Sequence, residues 1–244
     1  MLLIKLDAIN STNDFLKELA ADQRVENYTT VTAQRQLKGK GQRGSIWESE
    51  PGNNLIMSVF VADSVFDLSA LFLLNASVAL AVAETLNTVV DVSIKWPNDI
   101  MADKKKLGGI LIENSFSGTT LRSVIGIGIN VNQTEFPALP HATSLKILTG
   151  KNWDIDPLIQ SIVENLKIRI ANLNERSAQI MIQYNEMLYR RGCKTVFNSG
   201  SDAFSATIVG VGTDGLLQLR HDDGKILKCD LNQVRMNYEQ GNSM

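Results

Sequence analysis

The first segment able to do chemistry is a glycine-rich loop, Gly39 to Gly44, that carries two cations. Glycine lets backbone amides approach a ligand closely, and Lys40 and Arg43 could meet a carboxylate or a phosphate. The GxGxxG spacing does not indicate a dinucleotide site, because Pro51 follows where that motif requires a helix. A P-loop is excluded too, since Ser45 stands in place of the required lysine. A ligand-binding loop and a solvated hairpin tip remain as alternatives.

A second candidate is the polar segment Lys95 to Asp99, which contains tryptophan and proline beside three neighbouring polar groups. It belongs to a strand-like run at 92–101, and this run and a second one at 107–113 flank a polar corner at 102–106 and predict a hairpin. That hairpin would bring Asp99 close to Lys106 beside two glycines, so a carboxylate and an ammonium group would converge where a ligand has room. The alternative is an edge strand with a capped turn.

A third candidate is a strand-like run in which Gly126, Gly128 and Asn130 fall on one face. Bare backbone beside an amide side chain suits a flat ligand, although a bulge or close helix packing would use the same glycines. A second GxGxxG pattern at 210–215 leads into a strand, which argues against a dinucleotide site there.

Histidine and cysteine are scarce, and their positions limit the chemistry. The histidines are His141 and His221, and the cysteines are Cys193 and Cys229, with no CxxC pair. These spacings exclude the common zinc sites and leave little for a Ser/His or Cys/His nucleophile system. An enzyme with this sequence would work without histidine or with a nucleophile supplied by a substrate.

The charge balance and the N-terminus narrow the class of protein. The net charge of −2 provides no overall positive field for a nucleic-acid backbone. The start of the chain lacks the features of a secretory signal, so a cytoplasmic location is expected. The most apolar segment, 68–86, is interrupted by polar residues and predicts a buried helix instead of a membrane span.

The elements that must position these residues follow from periodicity. A polar cap at Asn10 to Asn13 leads into a helical stripe, and from Cys193 onward short β-like runs alternate with turns. This change of pattern predicts a small C-terminal β-barrel with a boundary near Arg191. Between them the sequence predicts strands at 28–34, 55–62 and 123–132 and helices at 68–87, 154–173 and 178–190.

Five segments in order resemble the catalytic domain of biotin protein ligases: Ser-Thr-Asn at 11–13, Gln36 with the glycine loop and Trp47, KWPND at 95–99, KLGGIL at 106–111 and GIGIN at 126–130. The resemblance runs from about Asn10 to Asn132, and it continues more weakly into the β-rich tail. It implies an α+β fold, with a mixed β-sheet and packed helices similar to class II synthetase cores, and an SH3-like C-terminal barrel. The implied domains are 1–191 and 192–244. Because the first motif begins at residue 10, a preceding DNA-binding winged helix is not expected.

The resemblance also implies roles for individual residues. Lys40 and Gln42 replace two arginines of the family loop, whereas Arg43 keeps the third, so charge remains at 40 without a planar fork and is lost at 42. The implied catalytic residues are Lys106, Lys40 and Arg43. The implied contacts are Ser11, Thr12, Asn13, Gln36, Lys40, Gly41, Gln42 and Lys106 for biotin, Trp47, Asn98 and Asn130 for the nucleotide, and Asp99 for Mg²⁺.

The implied activity is formation of biotinyl-5'-AMP from biotin and ATP with Mg²⁺, followed by transfer of biotin to a lysine of a biotin carboxyl carrier protein. No DNA or membrane partner is expected, and a homodimer is left open. The closest alternative is a lipoate or octanoyl ligase or transferase of the same fold. A non-catalytic biotin-sensing regulator is the alternative from another class.

Overall fold

A computed structural model describes residues 2–22, 24–63, 71–118, 120–171, 173 and 175–237. A seven-stranded sheet forms its centre, in the order β1-β2-β3-β7-β6-β5-β4. The first two strands are parallel and every other neighbouring pair is antiparallel, so the predicted mixed sheet is confirmed. Its strands are β1 (Leu3–Ile9), β2 (Thr30–Gln36), β3 (Asn54–Asp63), β4 (Val92–Lys95), β5 (Asp99–Ala102), β6 (Lys105–Ser117) and β7 (Thr120–Asn130).

Helix α2 (Leu71–Asn87) lies at the centre of the core, with twelve of its residues buried. A helix that is apolar on nearly every side is stable in water only when other elements surround it. Residues 68–70 of the predicted helix lie outside the described residues. The other helices are α1 (Thr12–Asp22), α3 (Leu145–Thr149), α4 (Ile155–Ile170) and α5 (Ser177–Glu186). Within the described ranges, no helix is long and apolar enough to cross a membrane.

The predicted strand at 92–101 is wrong in one respect. Residues 96–98 form a turn, and the strands on either side of it, β4 and β5, pair with each other. Pro97 has no N–H to donate to a ladder, so the chain reverses there. The predicted hairpin with the following strand is confirmed, because β5 also pairs with β6.

The C-terminal region forms a separate five-stranded antiparallel sheet in the order β11-β10-β9-β8-β12, as expected for a small SH3-like barrel. The apolar core nevertheless continues from the central sheet into it, through buried Phe197, Ile208 and Leu219. The division at 191/192 stays a prediction. The strands are β8 (Lys194–Ser199), β9 (Asp202–Val211), β10 (Leu217–Arg220), β11 (Ile226–Cys229) and β12 (Arg235–Met236).

Candidate active site

A cleft of about 700 Å³ lies between one face of the central sheet, the glycine loop and the C-terminal sheet. The C-terminal sheet contributes Phe197, Leu217 and Met236 to its lining. Of the thirteen residues to which the resemblance gives a role in the site, Asn130 is the one that does not line the cleft. Those that do are Ser11, Thr12, Asn13, Gln36, Lys40, Gly41, Gln42, Arg43, Trp47, Asn98, Asp99 and Lys106.

One end of the cleft is a buried cluster of hydroxyl and amide groups. Strands β1 and β2 are parallel and pair Ile9 with Gln36, so the start of α1 and the end of β2 meet at one edge of the sheet. The Gln36 Oε1 atom accepts hydrogen bonds from the backbone N of Thr12 at 2.8 Å and from its Oγ1 at 3.1 Å. Ser11 and Asn13 are also buried.

Ser58 belongs to this cluster and was not predicted from the sequence. Its fully buried Oγ lies 2.8 Å from Oγ1 of Thr12 and 2.6 Å from Oδ1 of Asn13. The available signal was one serine inside the apolar strand run 55–62, since a buried hydroxyl requires a hydrogen-bond partner. Across the sheet, Gly126 leaves room for Asn13, because a Cβ there would lie 2.5 Å from its Oδ1 atom.

The floor of the cleft is bare backbone, and an aromatic ring covers part of it. A Cβ at Gly128 would lie 2.6 Å from Cε2 of Trp47, and one at Gly109 would lie 3.6 Å from Cζ3. The Nε1 atom of Trp47 is buried without a hydrogen-bond partner among the described residues. A flat group therefore fits against this floor, and in this structure that group is the Trp47 ring.

The other end of the cleft holds a carboxylate between two lysines. Lys106 Nζ lies 2.5 Å from Oδ1 of Asp99, and Lys95 Nζ lies 3.7 Å from Oδ2. Burial lowers the pKa of Lys95, although the charge of Asp99 acts in the opposite direction. The hairpin thus produces the predicted convergence, and Lys95 is a further cation that the sequence did not assign to the site.

Asn98 lies in the turn that precedes Asp99 and joins the hairpin to β6. Its Nδ2 atom donates to the carbonyl of Ile110 at 2.6 Å, and the Ile110 amide donates back to the Asn98 carbonyl at 3.0 Å. The side chain lines the cleft from a fixed position. A nucleotide contact by Asn98 stays a prediction.

Asp99 is the one carboxylate among the described residues lining the cleft. Its pairing with two lysines makes it a counter-ion in this structure, so its role as a Mg²⁺ ligand stays a prediction. Across the described ranges, no group of three His, Cys, Asp or Glu side chains is arranged to hold a metal ion.

Asn130 lies away from the cleft, at the end of β7. Its buried side chain donates from Nδ2 to the carbonyl of Thr143 at 3.0 Å and thereby ties the strand to the segment before α3. Asn130 lies on the same face of β7 as Gly126 and Gly128, but it does not line the cleft as they do. Its predicted nucleotide contact stays a prediction that the geometry does not favour.

Comparison with known proteins agrees with this geometry. The family model for the biotin/lipoate A/B protein ligase family matches residues 6–130. The chain is also 31% identical over 239 residues to the bifunctional ligase/repressor BirA of Bacillus spizizenii, covering 94% of this chain and 73% of that protein.

The chain belongs to the biotin/lipoate A/B protein ligase family.

Other relatives of this ligase are named as biotin ligases. A biotin–[acetyl-CoA-carboxylase] ligase of Mycobacterium tuberculosis is 29% identical over 180 residues, which covers 71% of this chain and 66% of the relative. Among solved structures, the biotin protein ligase of Aquifex aeolicus in complex with biotin and ATP matches with a TM-score of 0.81 and 28% identity. That match covers 97% of this chain and 98% of the other.

The ligase holds its glycine loop by contacts that the sequence did not predict. Lys40 Nζ lies 2.7 Å from Oδ2 of Asp14 on α1, and Arg43 Nη2 donates to Oδ1 of Asn232 at 2.6 Å. Asp14 is a first-turn acid of a helix and Asn232 lies in a turn. Such positions are usually explained by helix capping or by turn formation, so neither indicated a long-range contact.

Proposed function

We propose that this ligase activates biotin with ATP to form biotinyl-5'-AMP and then transfers biotin to a lysine of a biotin carboxyl carrier protein. The observation that carries the proposal is a single cleft with a buried hydroxyl and amide cluster at one end and a lysine pair at the other. A glycine floor runs between the two ends. Biotin has the same order of chemistry, with a polar ureido ring, an apolar chain and a carboxylate.

The relatives support the choice of substrate. The solved Aquifex aeolicus structure contains biotin and ATP, and the Mycobacterium tuberculosis relative is named for biotin and acetyl-CoA carboxylase. The family also includes lipoate ligases by description, so the chemistry of the polar end matters. A ureido ring has one carbonyl acceptor and two N–H donors, which Ser11, Thr12, Asn13 and Gln36 can complement. The dithiolane of lipoate offers no such groups.

In this assignment Lys106 meets the biotin carboxylate and later the bridge between acyl and phosphoryl groups. The carboxylate oxygen attacks the α-phosphorus of ATP, a bond forms between them, and pyrophosphate leaves with the electrons of the broken P–O bond. Charge that develops around phosphorus is stabilised by Lys106, with Lys40 and Arg43 supplied by the loop. Trp47 and Asn98 are the nucleotide contacts that line the cleft.

The second step needs no nucleophile from the ligase. The ε-amine of the acceptor lysine attacks the carbonyl carbon of the mixed anhydride, an amide forms, and AMP departs. This agrees with the described lining of the cleft, which contains neither histidine nor cysteine. The loop over the cleft would limit hydrolysis of the anhydride by water.

Mg²⁺ is proposed to enter with ATP, because this ion is usually held by phosphate oxygens and water with few protein ligands. When bound, it would neutralise phosphate charge. The residues of this chain would bind and orient the two substrates, and Asp99, the one carboxylate among the described lining residues, is the side chain that would hold the ion.

A biotinylation assay tests the proposal directly. The full chain is incubated with a biotin carboxyl carrier domain, ATP and Mg²⁺, and ATP–pyrophosphate exchange is measured in parallel with biotin or with lipoate. We expect exchange with biotin and labelling of the carrier lysine. Exchange with lipoate alone would instead favour the lipoate ligase alternative, and no exchange with either acid would contradict the proposal.

A further inference from the structure

The loop cation Lys40 lines the cleft and is paired with a carboxylate on helix α1. Its ammonium group lies 2.8 Å from Oδ1 and 2.7 Å from Oδ2 of Asp14. The two side chains remain 48% and 30% exposed, respectively. The glycine loop is therefore attached to the first turn of α1 through one ion pair at the rim of the cleft.

Asp14 is itself held by an ordered set of charges. Lys17 Nζ lies 2.9 Å from Oδ1 of Asp14 and 2.7 Å from Oε1 of Glu113 on β6. The other carboxylate oxygen of Glu113, Oε2, accepts a 2.8 Å hydrogen bond from Nδ2 of Asn13. A continuous chain of contacts thus runs from Asn13 in the polar end of the cleft to Lys40 in the loop.

The charges of this chain balance, with two ammonium groups facing two carboxylates. Burial alone would raise the pKa of Asp14, but hydrogen bonds and charges from Lys40 and Lys17 outweigh it and lower that pKa. Asp14 is therefore ionised at neutral pH. An ion pair this exposed contributes little to global stability, so its effect falls on the loop that it restrains.

We propose that Asp14 is a positioning residue that holds the glycine loop over the cleft through Lys40, with Lys17 and Glu113 fixing the carboxylate relative to the polar end. A loop that is ordered beforehand does not have to be ordered by the ligand, so substrate binds more tightly. The effect on substrate affinity rests on the proposed function, whereas the restraint on the loop does not.

Hydrogen exchange of the loop amides tests the restraint on the ligand-free chain. In Asp14→Asn the amides of residues 39–45 should exchange about two- to fivefold faster, the range expected for losing one exposed ion pair. Lys40→Gln should give the same change, and the double variant should add nothing further. Asp22→Asn, at the exposed far end of the same helix, is the matched control and should leave the loop unchanged.

The second measurement is the steady-state response of pyrophosphate exchange to biotin. We expect Asp14→Asn to raise the KM for biotin about two- to fivefold with kcat unchanged, because Asp14 restrains the loop and does not itself touch the reacting atoms. Asp14→Glu, which keeps the charge, should recover at least part of the loss. A merely structural role through the helix dipole would lower thermal stability without this KM-against-kcat split.

The two measurements separate two kinds of failure. If the wild-type protein shows no biotin-dependent pyrophosphate exchange, the proposed function is wrong. Hydrogen exchange of the loop amides still tests whether Asp14 restrains the loop through Lys40. If the loop amides exchange at the wild-type rate in both Asp14→Asn and Lys40→Gln, the proposed restraint of the loop is wrong, whatever the enzymatic activity of these variants. Faster loop exchange in the Asp22→Asn control as well would also overturn it, since the effect would then belong to the helix as a whole.

Discussion

The Arg43 guanidinium donates a 2.6 Å hydrogen bond from Nη2 to Oδ1 of Asn232, so a loop cation of the catalytic region is anchored in the C-terminal region. Asn232 is fixed in turn by its own amide, which donates to Oδ1 of Asp230 at 2.6 Å. The glycine loop is thus held from two sides, by α1 at Lys40 and by the turn after β11 at Arg43. The C-terminal sheet therefore acts on the loop as well as forming part of the cleft wall.

This contact predicts that Asn232→Ala will release preformed biotinyl-adenylate about two- to tenfold faster, since one hydrogen bond of ordinary net strength is lost. Arg43→Ala should increase the release rate at least as much, and the double variant should release the adenylate at the rate of Arg43→Ala alone. Chase experiments on the preformed adenylate measure the rates. Asn198→Ala, an exposed asparagine in the same sheet, is the control, and an equal effect there would contradict the role of Asn232.

Lys106→Ala is expected to slow adenylation by about 10² to 10³, the usual effect of losing one electrostatic donor at a reacting centre. Stability should change little, because Lys106 is 35% exposed and Asp99 keeps Lys95 nearby. Single-turnover kinetics and thermal unfolding measure the two effects. The exposed Lys105→Ala variant is the control, and unchanged adenylation by folded Lys106→Ala would refute the assignment.

Gly128→Ala is expected to displace the Trp47 ring, because the new Cβ would lie 2.6 Å from it. Overpacking of this kind typically destabilises by about 1–3 kcal/mol. The measurements are tryptophan fluorescence, denaturant unfolding and the KM for ATP, which should rise if Trp47 contacts the nucleotide. Gly109→Ala meets its nearest atoms at 3.4 Å and should be tolerated better. Equal effects at the two positions would contradict the prediction.

Lys95 predicts a pH dependence of stability. Its pKa is lowered by burial from 10.5, so in alkaline solution the folded chain releases this proton before the unfolded chain does. The contribution of Lys95 to the free energy of unfolding therefore rises with pH between the folded pKa and 10.5, and is least favourable below that window. Urea unfolding of wild type and Lys95→Met at pH 7 and pH 10 should show the stability difference shifting toward wild type at the higher pH. A constant difference would be inconsistent with a lowered pKa.

A variant of Asn130 tests whether this residue stabilises the fold or contacts the nucleotide. Its buried hydrogen bond to Thr143 predicts that Asn130→Ala destabilises the fold by about 1–3 kcal/mol, because a carbonyl loses its partner. The KM for ATP of the folded variant should stay unchanged, since the side chain does not line the cleft. A raised KM without loss of stability would restore the nucleotide contact predicted from the sequence.

Local sequence determined much of this protein. Periodicity predicted the buried helix α2 and the short β-like runs of the C-terminal sheet, because burial and turn chemistry are encoded by neighbouring residues. The order of motifs predicted one shared site, and twelve of the residues assigned to it, from Ser11 to Lys106, line one cleft. The predicted strand at 92–101 extended through Pro97, where the structure has a turn, so one missing N–H interrupts a strand-like run.

Only the tertiary structure decided how distant side chains meet. Ser58 contacts Thr12 because parallel β1 and β2 place the start of α1 above β3. Asn130 does not line the cleft, because its side chain bonds to Thr143, 13 residues along the chain. The contacts of Asp14 with Lys40 and of Asn232 with Arg43 span 26 and 189 residues. No local pattern encodes such pairs, because they depend on the relative positions of whole helices and sheets.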